Sequence, residues 1–249
     1  MKSLYLAWQG PNRQWFPIGR LDAKSAPHEH FFFGYTKGAL GAAKAVGFRP
    51  LPAFPDFRGE YESPELFPLF KNRVLDPNRK NFPEYLESLG LEHNDPIEIL
   101  SVTGGERRTD NLEVFPRIIK DAQGSFVCRF FLHGLRHMSE EARARAMTLK
   151  EGDQLGVSIE LTNPATRVGI QLTTLPDYYF VGWTPHYLIV DLLKATTSAV
   201  EAISAKVVRV NMDDVPPNRR VLIEFSGKLP AEVTPMSGPE FQLIQPRAA

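Results

Sequence analysis

Residues 152–170 read GDQLGVSIELTNPATRVGI. Gly152-Asp153 marks a turn, Leu155–Leu161 a strand, and Val168–Thr174 a returning strand. Asn163-Pro164 lies between them, with asparagine as a turn former. Outward from this pair the strand signals continue: Tyr178–Trp183, Ala205–Val210 and Arg220–Phe225 follow, and Ser125–Leu132 precedes. Two helices interrupt them. Ser139 caps one, with Glu140 and Glu141 in its first turn at the positive dipole end. Thr184 caps the other, with Pro185 first and Leu188, Ile189, Leu192 and Leu193 forming one apolar stripe. The second half is therefore predicted to be β-rich with two helices.

The chain changes character near Pro116–Gly124. Before it, Leu4–Trp8 is a strand, Gly10-Pro11-Asn12 a turn, and Gln14–Leu21 the returning arm of a hairpin. His30–Tyr35 is a third strand, and Leu112–Phe115 a fourth. Helices are predicted at Lys37–Val46, at Asn81–Leu89 with Pro83 early and Gly90 after its end, and at Pro96–Leu100 behind an Asp95 cap. Five prolines fall in residues 50–68. They forbid regular helix or central strand. The interleaved Leu51, Phe54, Phe57, Leu66, Phe67, Leu69 and Phe70 argue for ordered turns and short helical pieces rather than a disordered linker. Two domains are expected, 1–117 and 125–229, with a linker at 118–124 and a loosely ordered tail at 230–249.

The 249 residues carry 29 Lys+Arg and 29 Asp+Glu. That balance excludes a wholly basic nucleic-acid coat protein but leaves room for a local basic patch. Cys128 is the only cysteine, which excludes an intramolecular disulfide and a cysteine-rich zinc site. In its apolar strand Cys128 reads as a small buried hydrophobe. Met1–Trp8 is too short and mixed for a signal peptide, and no apolar run reaches the roughly 20 residues needed to span a bilayer. A soluble cytoplasmic protein is expected.

The chain carries no phosphate-binding loop, no GxGxxG after a strand, and no HExxH, CxxC or GxSxG. Gly104-Gly105 leads into Glu106-Arg107 and lacks the lysine and hydroxyl of a phosphate loop. His28 and His30 share a strand face but have no third ligand nearby, so no metal is expected. Asp213-Asp214 reads as a solvated loop. No acid–base or nucleophile cluster is legible, and a non-enzymatic protein without a cofactor is expected.

Residues 125–228 resemble a HIRAN domain. Three pieces carry the resemblance: Gly-Leu-Arg-His at 134–137, the 152–170 stretch, and VGWTPHYLIVDLLKA at 181–195. The family implies a β-barrel of the OB or SH3-like kind that binds single-stranded DNA, including free 3′ ends. Carried over by position, Arg136 and His137 would approach the nucleic acid. Asn163 would orient the loop that Arg167 ends, and Trp183 with Thr184 would line the groove opposite. Ala165 and Thr166 stand where the family has Tyr-Asp, the pair that grips a terminal nucleotide.

Residues 1–117 are similar to the N-terminal subdomain of HipA-type kinases. The carrying residues are LYLAWQG to IGRL at 4–21, FFFGY at 31–35, RGEYESPELFPLFKNRVL at 58–75, and Arg79 with YLESLGLEHNDPIEIL at 85–100. Residues 104–116 replace that family's Gly-Gly-Asp-Cys-like end, and the kinase core is absent. The resemblance implies a partner-contacting subdomain, with Tyr61, Phe67, Phe70 and Asn72 as candidate contacts. The expected fold class is thus α+β, a small α+β domain followed by a HIRAN-like barrel with two helices. The expected function is binding of single-stranded or end-bearing DNA. The competing expectation is a regulator, antitoxin or adaptor, of a HipA-like kinase.

Overall fold

The computed structural model describes residues 2–24, 29–107, 109–164, 166–211 and 215–246, with the Arg136 side chain outside that set. It is a mixed α+β chain of two compact units, each built on one antiparallel sheet. The first comprises Met1–Leu86, Leu91–Arg117 and Met236–Ala249; the second comprises Glu87–Gly90 and Ile118–Pro235. Among the described residues no helix is long and apolar enough to cross a membrane.

In the first unit, strands β1 (Lys2–Gln9), β2 (Trp15–Lys24), β3 (His30–Tyr35), β4 (Tyr61–Ser63) and β5 (Leu112–Pro116) form a sheet in the order β4-β3-β2-β1-β5. Alternation along β3 sends Phe31, Phe33 and Tyr35 into the core and leaves Phe32 and Gly34 on the opposite face. Helix α1 (Lys37–Val46) presents Ala39 and Ala42 to that core and ends at Gly47, whose φ of 73° suits glycine. The proline-rich stretch folds onto the same core. Phe33 stacks on Phe54 at 3.9 Å, and Phe70 reaches Phe33 at 5.9 Å. The Tyr35 hydroxyl donates to Phe54 O and accepts from Leu51 N. That stretch also supplies β4 and the single-turn helix α2 (Pro68–Lys71). Behind it, the Arg73 side chain is 1% exposed. Its guanidinium donates to Leu69 O, Gly105 O and Asp110 Oδ2, one bond from each of its three nitrogens. Helices α3 (Phe82–Ser88) and α4 (Pro96–Thr103) follow, with Asp95 capping the latter through Ile97 N and Glu98 N.

Residues 236–246 are not a loose tail. Thr36 and Leu243 form a bridge, Ile244 N donates to Tyr35 O, and Phe241 packs edge-on against Tyr5 at 5.0 Å. This segment is held by backbone pairing and isolated apolar contacts, which leave no periodic signature.

In the second unit, β6 (Ser125–Phe131), β7 (Gln154–Asn163), β8 (Arg167–Thr173), β9 (Phe180–Trp183), β10 (Ser204–Val210) and β11 (Val221–Lys228) form a sheet in the order β6-β11-β10-β7-β8-β9. Its two edges are not both free. His133, just past β6, exchanges two backbone hydrogen bonds of 3.0 Å with Trp183 at the end of β9. Helices α5 (Glu140–Met147) and α6 (Ile189–Ser198) complete the unit. Cys128 is buried on β6 opposite Phe225 of β11, and burial pushes its thiol up to about 12.

Two expectations need correction in the second unit. Residues 118–124 are no linker, because Asp121 Oδ1 accepts from Gln123 N and Ser125 N and Ile118 is buried. Thr184 does not cap a helix. Its Oγ1 accepts from no helix N–H, and Pro185 after it stays extended at φ −56° and ψ 144°, so no helix starts there. A 3₁₀ turn at His186–Leu188 intervenes before α6 starts at Ile189.

Candidate nucleic-acid interface

Side chains on neighbouring strands meet when they share a face and a register. The pairing of β7, β8 and β9 sets Glu160 opposite Gly169 and Gln171 opposite Trp183. Gly169 has no side chain, so three neighbours close over it. A Cβ there would sit 3.1 Å from Glu160 Oε2, 3.1 Å from Trp183 Cδ1 and 3.2 Å from Asn163 Nδ2. Trp183 Nε1 donates to Glu160 Oε2 at 2.7 Å, and Asn163 Nδ2 donates to the same oxygen at 2.8 Å. The hydrogen bond from Asn163, joined by those from Trp183 and Gln171, holds the Glu160 carboxyl below the usual carboxylate range. Asn163 Oδ1 accepts from both Thr166 N and Thr166 Oγ1 at 3.0 Å, which fixes the turn between β7 and β8. Arg167 ends that turn, exposed and at a φ of 68°.

The indole also lies against Gly134. A Cβ at Gly134 would come within 2.4 Å of the ring, and its φ of 82° is in the left-handed region. Both constraints select glycine. Gly134 opens the 3₁₀ turn Leu135–His137, which carries Arg136 and the exposed His137. That turn lies against a second one, Pro217–Arg219. Arg219, distant in sequence, thereby joins the neighbourhood of Arg136 and His137. Phe180 meets Trp183 edge-on at 4.6 Å. Trp183 is thus a half-buried aromatic with fixed orientation, pressed on the Gly134 that opens the turn of Arg136 and His137 and tied through Glu160 to the Asn163 turn that Arg167 ends. Close to the seam, burial pushes the His186 imidazole down to about 3, with His133 adding to the effect.

The expected residues Arg136, His137, Asn163, Arg167 and Trp183 come from three separated segments, and the fold brings those segments around one ring. The Arg136 side chain is outside the described residues, as are Ala165, His28 and Asp213-Asp214. Thr184 is not a groove residue. It is 3% exposed, and its Oγ1 is buried without a hydrogen-bond partner. Residues adjacent along a strand point to opposite faces, so Trp183 outside places Thr184 inside. Glu160 and Arg219 were not legible. The alternation of β7 places Glu160 on a face, but only pairing with β8 and β9 brings it to the indole.

The partner-contact residues expected in the first unit do not form one exposed patch, and Tyr61, Phe67 and Phe70 pack on the Phe33–Phe54 cluster. Phe70 is wholly buried and belongs to the core, so it is corrected from contact to packing. Phe67 is half-buried edge-on against Phe54 at 5.2 Å. Asn72 is exposed at the end of α2. Tyr61 is half-buried on β4, its hydroxyl bonded to the backbone N and O of Asp56. Among the described residues no group of three or more His, Cys, Asp or Glu is placed to hold a metal ion. No family model, curated protein or solved structure matches the chain.

Proposed function

We propose that the second unit is a HIRAN-like barrel that binds single-stranded or end-bearing DNA at Trp183, as a binding module and not as an enzyme. One observation carries this reading. An indole fixed by Glu160, Gly134 and Phe180 stands half-exposed beside turns that bear arginines. Aromatic rings stack bases, and neighbouring cations neutralise the phosphates that run past them. The reciprocal His133–Trp183 hydrogen bonds support the barrel, since they join the two edges of the sheet at the site itself. Single-stranded binding suits a site built on an aromatic stacking platform. Ala165 and Thr166 in place of the family's Tyr-Asp favour the single-stranded over the end-bearing reading.

Fluorescence anisotropy of a short labelled single-stranded DNA, titrated at several salt concentrations, tests this. Log affinity is expected to fall linearly with log salt. Arg219→Ala is expected to lower the slope by roughly 0.7, the contribution of one single-strand phosphate contact. No binding at low salt would overturn the proposal.

A further inference from the structure

The first unit contains a groove of about 440 Å³ on its sheet, beside the edge strand β4. On the outer face of the sheet its floor is the half-buried Phe32, while Phe57 and Tyr61 close it from the core face. Gly34 lines it without a side chain. Its rim is acidic. Glu60 and Glu62 are both exposed; Glu60 has no ion-pair partner among the described residues, and Glu62 meets only His30, at 3.6 Å. The third carboxylate, Asp22, is neutralised by Arg20 and carries no free charge into the groove. Among the described residues no lysine or arginine lines it.

Carboxylates around aromatic faces attract cations, through charge and through the ring quadrupole. The rings here already tolerate one, since Lys24 Nζ lies 6.0 Å from the centre of the Phe32 ring. The adjoining strand β4 is only three residues long and ends the sheet, the position at which a further strand can add. An extended chain laid along β4 would place alternate side chains over the groove. We infer that this groove receives an extended basic segment of a protein partner, with an arginine or lysine seated over the Phe32 ring beside the Glu60–Glu62 rim. The inference stands apart from the nucleic-acid reading, which concerns the second unit alone.

The test is isothermal titration of the full chain with two synthetic peptides, one alternating Arg and Val, the other alternating Glu and Val, with spermine as a third probe. The Arg-Val peptide is expected to bind one site and saturate. Replacing both rim carboxylates, Glu60→Gln with Glu62→Gln, is expected to weaken it roughly five-fold or more, as loss of charge-assisted contacts does. Gly34→Leu should also weaken binding by filling the groove. A Cβ at Gly34 meets only the flexible end of Leu243, at 3.2 Å, so the fold has room to adjust. Circular dichroism melts accompany both variants. If Gly34→Leu does not fold, the exposed carboxylate pair decides alone. Trp183→Ala should leave peptide binding unchanged, which separates failure here from failure of the DNA site. Absence of saturation overturns the inference. So does equal binding of the Glu-Val peptide or spermine, or an unchanged affinity in the carboxylate variant.

Discussion

In the first unit Phe33 and Phe54 stack at 3.9 Å over a wholly buried Phe70. In the second, Trp183 stays half-buried on the outer face, tied at its nitrogen to Glu160 and pressed on Gly134. The same class of side chain serves packing in one place and presentation in the other. Buried phenylalanines need no polar partner and derive their energy from area removed from water. A surface indole needs fixing, and here a carboxylate, an asparagine and a glycine fix it. Aromatic content therefore says little about a site, whereas polar ties to an exposed ring say much.

The largest expected effect falls on packing. Phe70→Ala should destabilise the first unit by about 3–5 kcal/mol, read by urea unfolding, because it leaves a cavity in a dense aromatic cluster. A loss below 1 kcal/mol would show that Phe70 is not a core residue. Gly134→Ala should cost the second unit about 1–3 kcal/mol, since the added methyl meets the indole and the backbone sits at positive φ. Its Trp183 emission should shift as the ring is displaced. Unchanged stability and emission would remove Gly134 from the site.

The two units should also answer pH in opposite senses. Burial, with Glu106 adding to it, pushes the Glu113 carboxyl from its ordinary 4.5 up to about 8. Between those values the folded chain keeps a proton that the unfolded chain has released. Stability of the first unit should then fall as pH rises through that window, by at most about 1.4 kcal/mol per pH unit. Glu113→Gln should flatten the fall. His186 runs the other way, from its ordinary 6.5 down to about 3. There the unfolded chain binds the proton first, so the second unit should weaken as pH drops below 6.5. Urea melts from pH 4 to 9 check both signs, with Trp8 and Trp15 reporting the first unit and Trp183 the second. Parallel pH responses would break the contrast. The smallest effect is on the acid side of the β8–β9 loop. Its Asp177 is held down to about 2 by hydrogen bonds from Arg145 and then Thr174, so the loop should loosen only as pH falls toward that value. Amide exchange at Tyr178 and Tyr179 reads this.

Much of the fold was legible in local signals. β3 and α1 occupy His30–Tyr35 and Lys37–Val46, where a strand and an Ala-rich helix were expected, and Asp95 caps α4. The proline-rich stretch hid β4, because a three-residue strand has no period to read and exists only through its pairing with β3. Thr184-Pro185 looked like a helix start because the sequence does not show that Pro185 stays extended before the 3₁₀ turn. The site was legible in part. Trp183, Asn163 and the Gly134 turn came from a resemblance in order and spacing. Glu160 and Arg219 came from neither, since strand register and the packing of two turns are tertiary facts. Phe70 failed as a contact because an aromatic beside prolines reads the same whether it faces inward or out.

The central claim is that Trp183 stacks a base. A chain carrying Trp8→Phe and Trp15→Phe leaves Trp183 as the sole indole. Its emission, followed during titration with single-stranded oligo(dT) at low salt, is predicted to quench to saturation and to recover as salt is added. Trp183→Ala in the parent chain is predicted to weaken the same binding by about 1–3 kcal/mol, the contribution of one stacked base. Emission that stays constant while anisotropy reports bound DNA would contradict the claim and move the site away from Trp183.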